Sequence, residues 1–162
     1  MDIGNITFRT KVLEDDKINV REILESTGFF YDFEIEVAVE LVQEYLEYGI
    51  ESEYIFLFAE AEGKTIGYTC FGLIPVTKHS YDLYWIGVHN NFRGLGLGKR
   101  LLHETEKIIK DLGGKNIYFE TSSREKYMPT QKFYDSCNCE LIAQIKDFYD
   151  ESDDKLIYKR TV

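Results

Sequence analysis

The chain has 162 residues, 44% of them hydrophobic and 15% aromatic, enough apolar material for one folded domain over 1–162 and too much for a disordered chain. Its net charge is −10, unevenly spread: residues 1–63 hold 16 acids against four bases, and residues 93–132 hold nine bases against five acids. That balance disfavours a nucleic-acid binder, whose affinity rests on neutralising phosphates, while leaving a basic island able to hold a small polyanion.

Ile6–Arg9 reads as a first strand. The periodicity predicts helices over 17–27 and 33–48, the second with Ile35, Ala38, Leu41, Val42, Tyr45 and Leu46 on one stripe and Gly49 as its C-cap. The period then changes to that of strands. Tyr54–Glu60 and Thr65–Leu73 flank a hairpin loop at Glu62-Gly63-Lys64, and Tyr81–His89 follows. A helix is expected over 96–112, with Leu97, Leu101, Ile108 and Leu112 facing inward and Gly113-Gly114 as its stop. Asn116–Thr121 is a strand. Pro129 opens a short helix that ends near Cys137, where Asn138 can take a left-handed cap. Glu140–Tyr149 and Lys155–Arg160 close the chain across the acidic loop Asp150–Asp154. The order β-α-α-β-β-β-α-β-α-β-β excludes a fully parallel sheet, because short connections require antiparallel neighbours. The fold class is α/β (α+β): a mixed, mostly antiparallel sheet of about seven strands with helices on both faces.

No run approaches the ~18 apolar residues of a membrane span, and the start MDIGNITFRT lacks the basic head and apolar run of a signal peptide. Cys70, Cys137 and Cys139 are too few and odd in number for a disulfide framework. A reduced, cytoplasmic chain with no membrane partner is the expectation. Cys137 and Cys139 form a C-x-C with no second ligand pair, and His79, His89 and His103 lack i,i+4 pairing, so no metal is expected.

The most specific feature is His89-Asn90-Asn91-Phe92-Arg93-Gly94-Leu95-Gly96-Leu97-Gly98-Lys99-Arg100, which follows a strand and opens a helix. Glycines at a helix start cost roughly 1 kcal/mol each relative to alanine, which is offset if their backbone N–H groups approach an anion at the helix N-terminus. The spacing fails as a P-loop, because Lys99 is followed by Arg100. It also fails as a dinucleotide fingerprint, because positions 99 and 101 are Lys and Leu. A nucleotide-binding enzyme is disfavoured on both counts.

What fits is Arg-x-x-Gly-x-Gly at Arg93, Gly96 and Gly98, after the strand Tyr84-Trp85-Ile86-Gly87-Val88. In this motif, and in its element order over nearly the whole chain, the sequence resembles the GNAT superfamily of acyl-CoA-dependent N-acyltransferases. The resemblance implies acetyl-CoA as co-substrate. Its pyrophosphate would lie on the backbone of Gly94, Leu95, Gly96, Leu97, Gly98 and Lys99 with Arg93 as counter-charge, and its pantetheine would pair with Ile86 and Val88 like an added strand. Downstream, Phe133-Tyr134 matches the family's aromatic pair close to the CoA sulfur. Tyr127 departs from the Asn often found seven residues before that Tyr.

The implied reaction moves an acetyl group from acetyl-CoA to a primary amine by direct attack in a ternary complex. It needs a neutral amine, a stabilised oxyanion and a protonated leaving thiolate. Tyr134 is the candidate acid. Asp82, which alternation places on one face with Tyr84, Ile86 and Val88, is the candidate base, with Glu120 or a water chain as the alternatives. Backbone N–H groups near Ile86–Val88, at a strand distortion, are the candidate oxyanion donors. The resemblance implies that the two N-terminal helices border the acceptor site, so the acidic first 63 residues there suit a cationic acceptor, a small molecule or a peptide. Members of the family often pair through sheet edges or C-terminal strands, so the resemblance leaves a homodimer open, and the sequence itself does not establish one. The alternative from another class is a non-catalytic acyl-CoA-binding regulatory module on the same fold.

Overall fold

The computed structural model describes residues 5–162, so part of the N-terminal stretch inspected for a leader lies outside the described residues. The chain forms β1 (Thr7–Arg9), α1 (Asp16–Ser26), α2 (Asp32–Tyr48), β2 (Ile55–Ala61), β3 (Lys64–Leu73), β4 (Ser80–Val88), α3 (Leu97–Asp111), β5 (Asn116–Ser122), α4 (Met128–Ser136), β6 (Glu140–Asp150) and β7 (Asp153–Thr161). The expected order is reproduced. The strands follow one another across the sheet as β1-β2-β3-β4-β5-β7-β6. β4 and β5 pair parallel, while β1/β2, β2/β3, β5/β7 and β6/β7 pair antiparallel. The sheet is therefore mixed and mostly antiparallel. The chain divides into two compact units, Met1–Gly72 with Leu83–Ile108, and Leu73–Asp82 with Ile109–Val162.

In the first unit the β2–β3 hairpin closes through Glu62 and Gly63, both at positive φ (51° and 76°), the geometry a two-residue turn needs to follow the strand twist. The two faces of β3 meet different helices. Tyr68 and Cys70 point into a cluster with Val20, Ile23 and Leu24 of α1 and Ala38 and Val42 of α2. Thr69 faces α3, its hydroxyl 2.8 Å from that of Thr105. A Cβ at Gly67 would come within 3.0 Å of Leu101 and of the Gly87 carbonyl, so this close approach requires glycine. Helices therefore cover both faces, as the pattern implied. Asp16, fully buried at the start of α1, accepts two bonds from Arg9 of β1, at 2.8 and 3.0 Å, and one from the Leu13 N–H. Its charge is thus compensated where it is buried.

The expected stripe of α3 is corrected. Leu97, Leu101, Leu102, Thr105 and Ile109 face inward, whereas Ile108 is half-buried and Leu112 lies exposed beyond the helix end. The inward row runs in steps of four through Thr105, and that polar residue concealed it in the sequence. Its hydroxyl is satisfied by Thr69, which removes the cost of burying it.

In the second unit β6 and β7 join through a two-residue turn, with Asp150 opposite Asp153 and Ser152 at φ 60°. The expected five-residue acidic loop is thus largely strand. Asp153 is buried rather than solvated: it accepts from the Ser122 hydroxyl and lies 3.1 Å from Arg124 Nε. α4 begins around Pro129, and Asn138 takes the left-handed cap at φ 57°.

Candidate active site

The glycine turn lies in the first unit. After β4, the Nδ1 of His89 accepts from the Asn91 N–H at 3.2 Å and starts a 3-10 turn over Asn90–Phe92. Two hydrogen bonds moor this turn: the His89 N–H donates to the Ile66 carbonyl at 2.9 Å, and the Asn90 N–H donates to the Ser26 hydroxyl at 2.9 Å. Gly94 and Gly96 then adopt φ of 75° and 78°, and no atom lies within 4 Å of where a Cβ at either would stand. Their left-handed backbone suits glycine, and the open space beside them is on the approach to the N-terminus of α3. The first intrahelical bond, Arg100 N–H to the Gly96 carbonyl at 3.1 Å, leaves the preceding N–H groups without intrahelical acceptors. Arg93 and Lys99 are exposed beside them, as is Leu95, while Gly98 lies in the first turn. Leu97 is buried and anchors the helix in the core, so it offers a ligand only its backbone. These residues fit an acyl-CoA pyrophosphate: an anion cradle of backbone N–H groups with two cations at its rim.

The strand before the turn departs from simple alternation. The Tyr84 ring lies 3.3 Å from the Cβ position of Gly72 and edge-on to Tyr54, whose side chain packs on the α1/α2 cluster. Trp85 packs on the same cluster, 5.4 Å from the Phe30 ring. A Cβ at Gly87 would meet Tyr68, Ile23 and Leu24. Two consecutive residues, Tyr84 and Trp85, thus point to one face, as at a β-bulge. Ile86 and Val88 therefore face opposite to Tyr84. The single face expected for Asp82, Tyr84, Ile86 and Val88 is broken between Tyr84 and Trp85.

In the second unit β5 separates two chemical environments. Its register pairs Phe119 with Tyr158 and Glu120 with Ile157 on β7, and Tyr118 with Asp82 on β4. Opposed residues share a face, and faces alternate along a strand. On one face Tyr134 of α4 is buried, its ring 4.8 Å from Phe119, 5.3 Å from Tyr158 and 5.8 Å from the half-buried Phe133. Burial, reinforced by Cys139, Cys137 and Tyr158, pushes the Tyr134 phenol well above its ordinary pKa of ~10. On the other face stand Asp82 and Glu120. Asp82 is half-buried, and its carboxyl is raised by burial and then by Glu120, with Lys155 pulling the other way. Glu120 is exposed and accepts from Lys155 Nζ at 2.8 Å. The two candidate bases therefore stand together, and the candidate acid stands on the opposite face of the same strand.

Lys155 was no part of the expected site. The sequence signal was its register, opposite Ser122 and hence diagonal to Glu120, which is legible only once β5 and β7 are paired. The histidines do local work: His79 Nδ1 contacts the Gly113 carbonyl at 2.9 Å, His89 caps the turn, and exposed His103 lies 4.0 Å from Glu106. Cys70, Cys137 and Cys139 are buried. Among the described residues, no group of three or more His, Cys, Asp or Glu side chains is arranged to hold a metal. No helix among them is long and apolar enough to cross a membrane.

A mixed seven-stranded sheet whose central strand runs through a glycine turn into a helix is the architecture that the sequence resemblance implied. Residues 19–138 match the acetyltransferase (GNAT) family, and the chain belongs to that family of acyltransferases. It is similar to a GNAT-family protein from Desulfovibrio desulfuricans, with 41% identity, TM-score 0.95, and coverage of 97% of this chain and 99% of that one. Its fold is also that of an aminoglycoside 6'-N-acetyltransferase complexed with coenzyme A (17% identity, TM-score 0.74, 97% and 96% coverage). The PaiA N-acetyltransferase from Thermoplasma acidophilum, complexed with coenzyme A, shares the fold too (21%, 0.70, 98% and 99%). A comparison with curated proteins returned no significant match.

Proposed function

We propose that residues 1–162 act as one cytoplasmic N-acetyltransferase domain that moves the acetyl group of acetyl-CoA to a primary amine of a cationic small molecule or peptide. The observation that carries this reading is the pair of left-handed glycines, Gly94 and Gly96, beside open space at the N-terminus of α3 in a chain of this family. Acetyl-CoA supplies the activated thioester. The backbone of Gly94–Lys99, with Arg93, would hold its pyrophosphate. Ile86 and Val88 would pair with its pantetheine arm, and Phe133 would pack near its sulfur.

The protein's own groups divide the remaining work. Backbone N–H groups near Ile86–Val88, just after the pleat slip at Tyr84–Trp85, are suited to the oxyanion. Asp82 takes the acceptor's proton, with Glu120 beside it. Its raised pKa brings a carboxylate closer to the operating range of a general base. Tyr134 donates toward the departing sulfur. Its raised pKa keeps the phenol protonated at neutral pH and makes it a weak acid, so it acts as a hydrogen-bond donor from which the proton passes as the thiolate charge builds. Standing on opposite faces of β5, acid and base would serve a donor and an acceptor that approach from opposite sides. The acidic first 63 residues favour a cationic acceptor. The reading includes neither a metal nor a nucleic-acid partner.

The test is release of free CoA from acetyl-CoA across polyamines, aminoglycosides, amino acids and peptide N-termini, with acetylated product confirmed by mass. Turnover on an amine supports the reading. Tight acetyl-CoA binding with no turnover on any amine would make the protein a non-catalytic acyl-CoA module.

A further inference from the structure

Lys155 of β7 stands between two side chains. Its Nζ lies 2.8 Å from Glu120 Oε2 and 4.4 Å from the centre of the Phe148 ring. The side chain is only 15% exposed, while that of Glu120 is 49% exposed. A lysine ammonium is strongly hydrated, and holding it on a carboxylate and a ring face costs side-chain freedom. An exposed ion pair recovers little of that. The arrangement has a further electrostatic partner in Asp82, which is paired in register with Tyr118, two residues before Glu120 on the same face.

Among the described residues, the charges that act on the Asp82 carboxyl are Glu120 from β5, which raises it, and Lys155 from β7, which lowers it. Tyr149 of β6 also feels Glu120. Two neighbouring carboxylates left alone would share a proton. With Lys155 seated on Glu120, the second charge is neutralised where it stands.

We propose that Lys155, clamped between Glu120 and the Phe148 ring, is a positioning residue that occupies Glu120 and leaves Asp82 as the carboxylate free to accept the acceptor's proton. The role rests on the reading of Asp82 as the base. What distinguishes the two carboxylates is that Glu120 accepts directly from the Lys155 ammonium at 2.8 Å.

The test separates the two layers. The Asp82 carboxyl is titrated by carbon-13 NMR in the full-length protein, and kcat is measured against pH with one acceptor, so that the acceptor's own titration is common to all variants. Lys155→Met, which keeps an unbranched chain one atom shorter and removes the charge, should move both the Asp82 titration and the acidic limb of kcat to higher pH. Turnover at pH 6.5 should fall about threefold or more, while turnover at pH 9 stays within about twofold. Glu120→Gln should move both curves the other way, and Lys155→Arg should restore the wild-type curves. If Lys155→Met unfolds the protein, Glu120→Gln still reads the same coupling with the opposite sign. An Asp82 titration unmoved by both substitutions overturns the inference. A moved titration with an unmoved rate profile overturns Asp82 as the base, and the positioning role falls with it.

Discussion

On one face of β5, Tyr134 stands among Phe119, Tyr158 and Phe133, with its phenol driven up by burial. On the other, Asp82 and Glu120 stand with Lys155, partly wet and mutually charged. The two faces tune protons by different physics. The dry face withholds water, so the neutral form of Tyr134 is favoured and the proton stays on. The wet face keeps both carboxylates near each other and offsets them with one ammonium, so ionisation there depends on the balance of neighbours. A donor of protons suits the first environment and an acceptor the second.

The largest effect that can break this contrast is at Tyr134. Tyr134→Phe keeps the ring among its aromatic neighbours and removes the proton. Turnover should fall roughly 10²-fold or more, while acetyl-CoA affinity and melting temperature hold, because the swap is close to isosteric. Wild-type turnover in that variant would return Tyr134 to the core as a packing residue. Gly96→Val tests donor binding without touching either face of β5. At φ 78° a side chain costs about 1–2 kcal/mol, and a branched one would project into the space the pyrophosphate needs. Acetyl-CoA affinity should drop about tenfold or more by calorimetry. An unchanged affinity would remove the turn from the site.

Asp82→Asn probes the wet face. Turnover should fall about tenfold at pH 6.5, where the acceptor amine is charged and most needs a base, and rise toward wild type as pH increases. Stability should move in the opposite sense. A carboxyl whose folded pKa is raised contributes stability below its unfolded pKa and loses it as pH rises through the folded pKa. At neutral pH Asp82 is therefore a net burden on the fold. Asp82→Asn should raise the melting temperature at pH 7 and leave it unchanged near pH 3. A melting temperature that falls at pH 7 would show Asp82 to be a stabilising partner instead.

The glycine turn was legible in the sequence because its signal is compositional. Glycines at 94, 96 and 98 at a helix start have few structural reasons to be there, and two of them adopt the conformation that glycine permits. Strand and helix order was equally legible, because apolar periods switch cleanly between β3, β4 and α3. Three things were hidden, each for a tertiary reason. The inward row of α3 passes through Thr105, whose polarity is cancelled only by Thr69 on another element. The pleat slip, expected only as a distortion near Ile86–Val88, adds no marker residue, and its position at Tyr84–Trp85 shows only in what the two rings touch. Lys155 reads as one more charge after an acidic run until the β5/β7 register sets it diagonal to Glu120.

The smallest effect is expected at Tyr158, which shares the dry face with Tyr134. Its ring is 5.3 Å from Tyr134, it is 3% exposed, and its phenol is also raised, by burial, Asp135 and Cys139. Two buried phenols side by side invite the idea of a relay, with Tyr158 passing a proton to Tyr134 after each turnover. The register argues otherwise. Tyr158 lies on β7 opposite Phe119, and Phe119 and Tyr134 are in direct ring contact, so the three rings form a packed layer whose first contribution is apolar area. Tyr158→Phe should leave turnover within about threefold and stability within about 1 kcal/mol, the scale of one hydroxyl's net hydrogen bonding. A loss as large as that of Tyr134→Phe, with the two losses non-additive in the double variant, would show that the phenols work as a unit and that the dry face conducts protons rather than holding one.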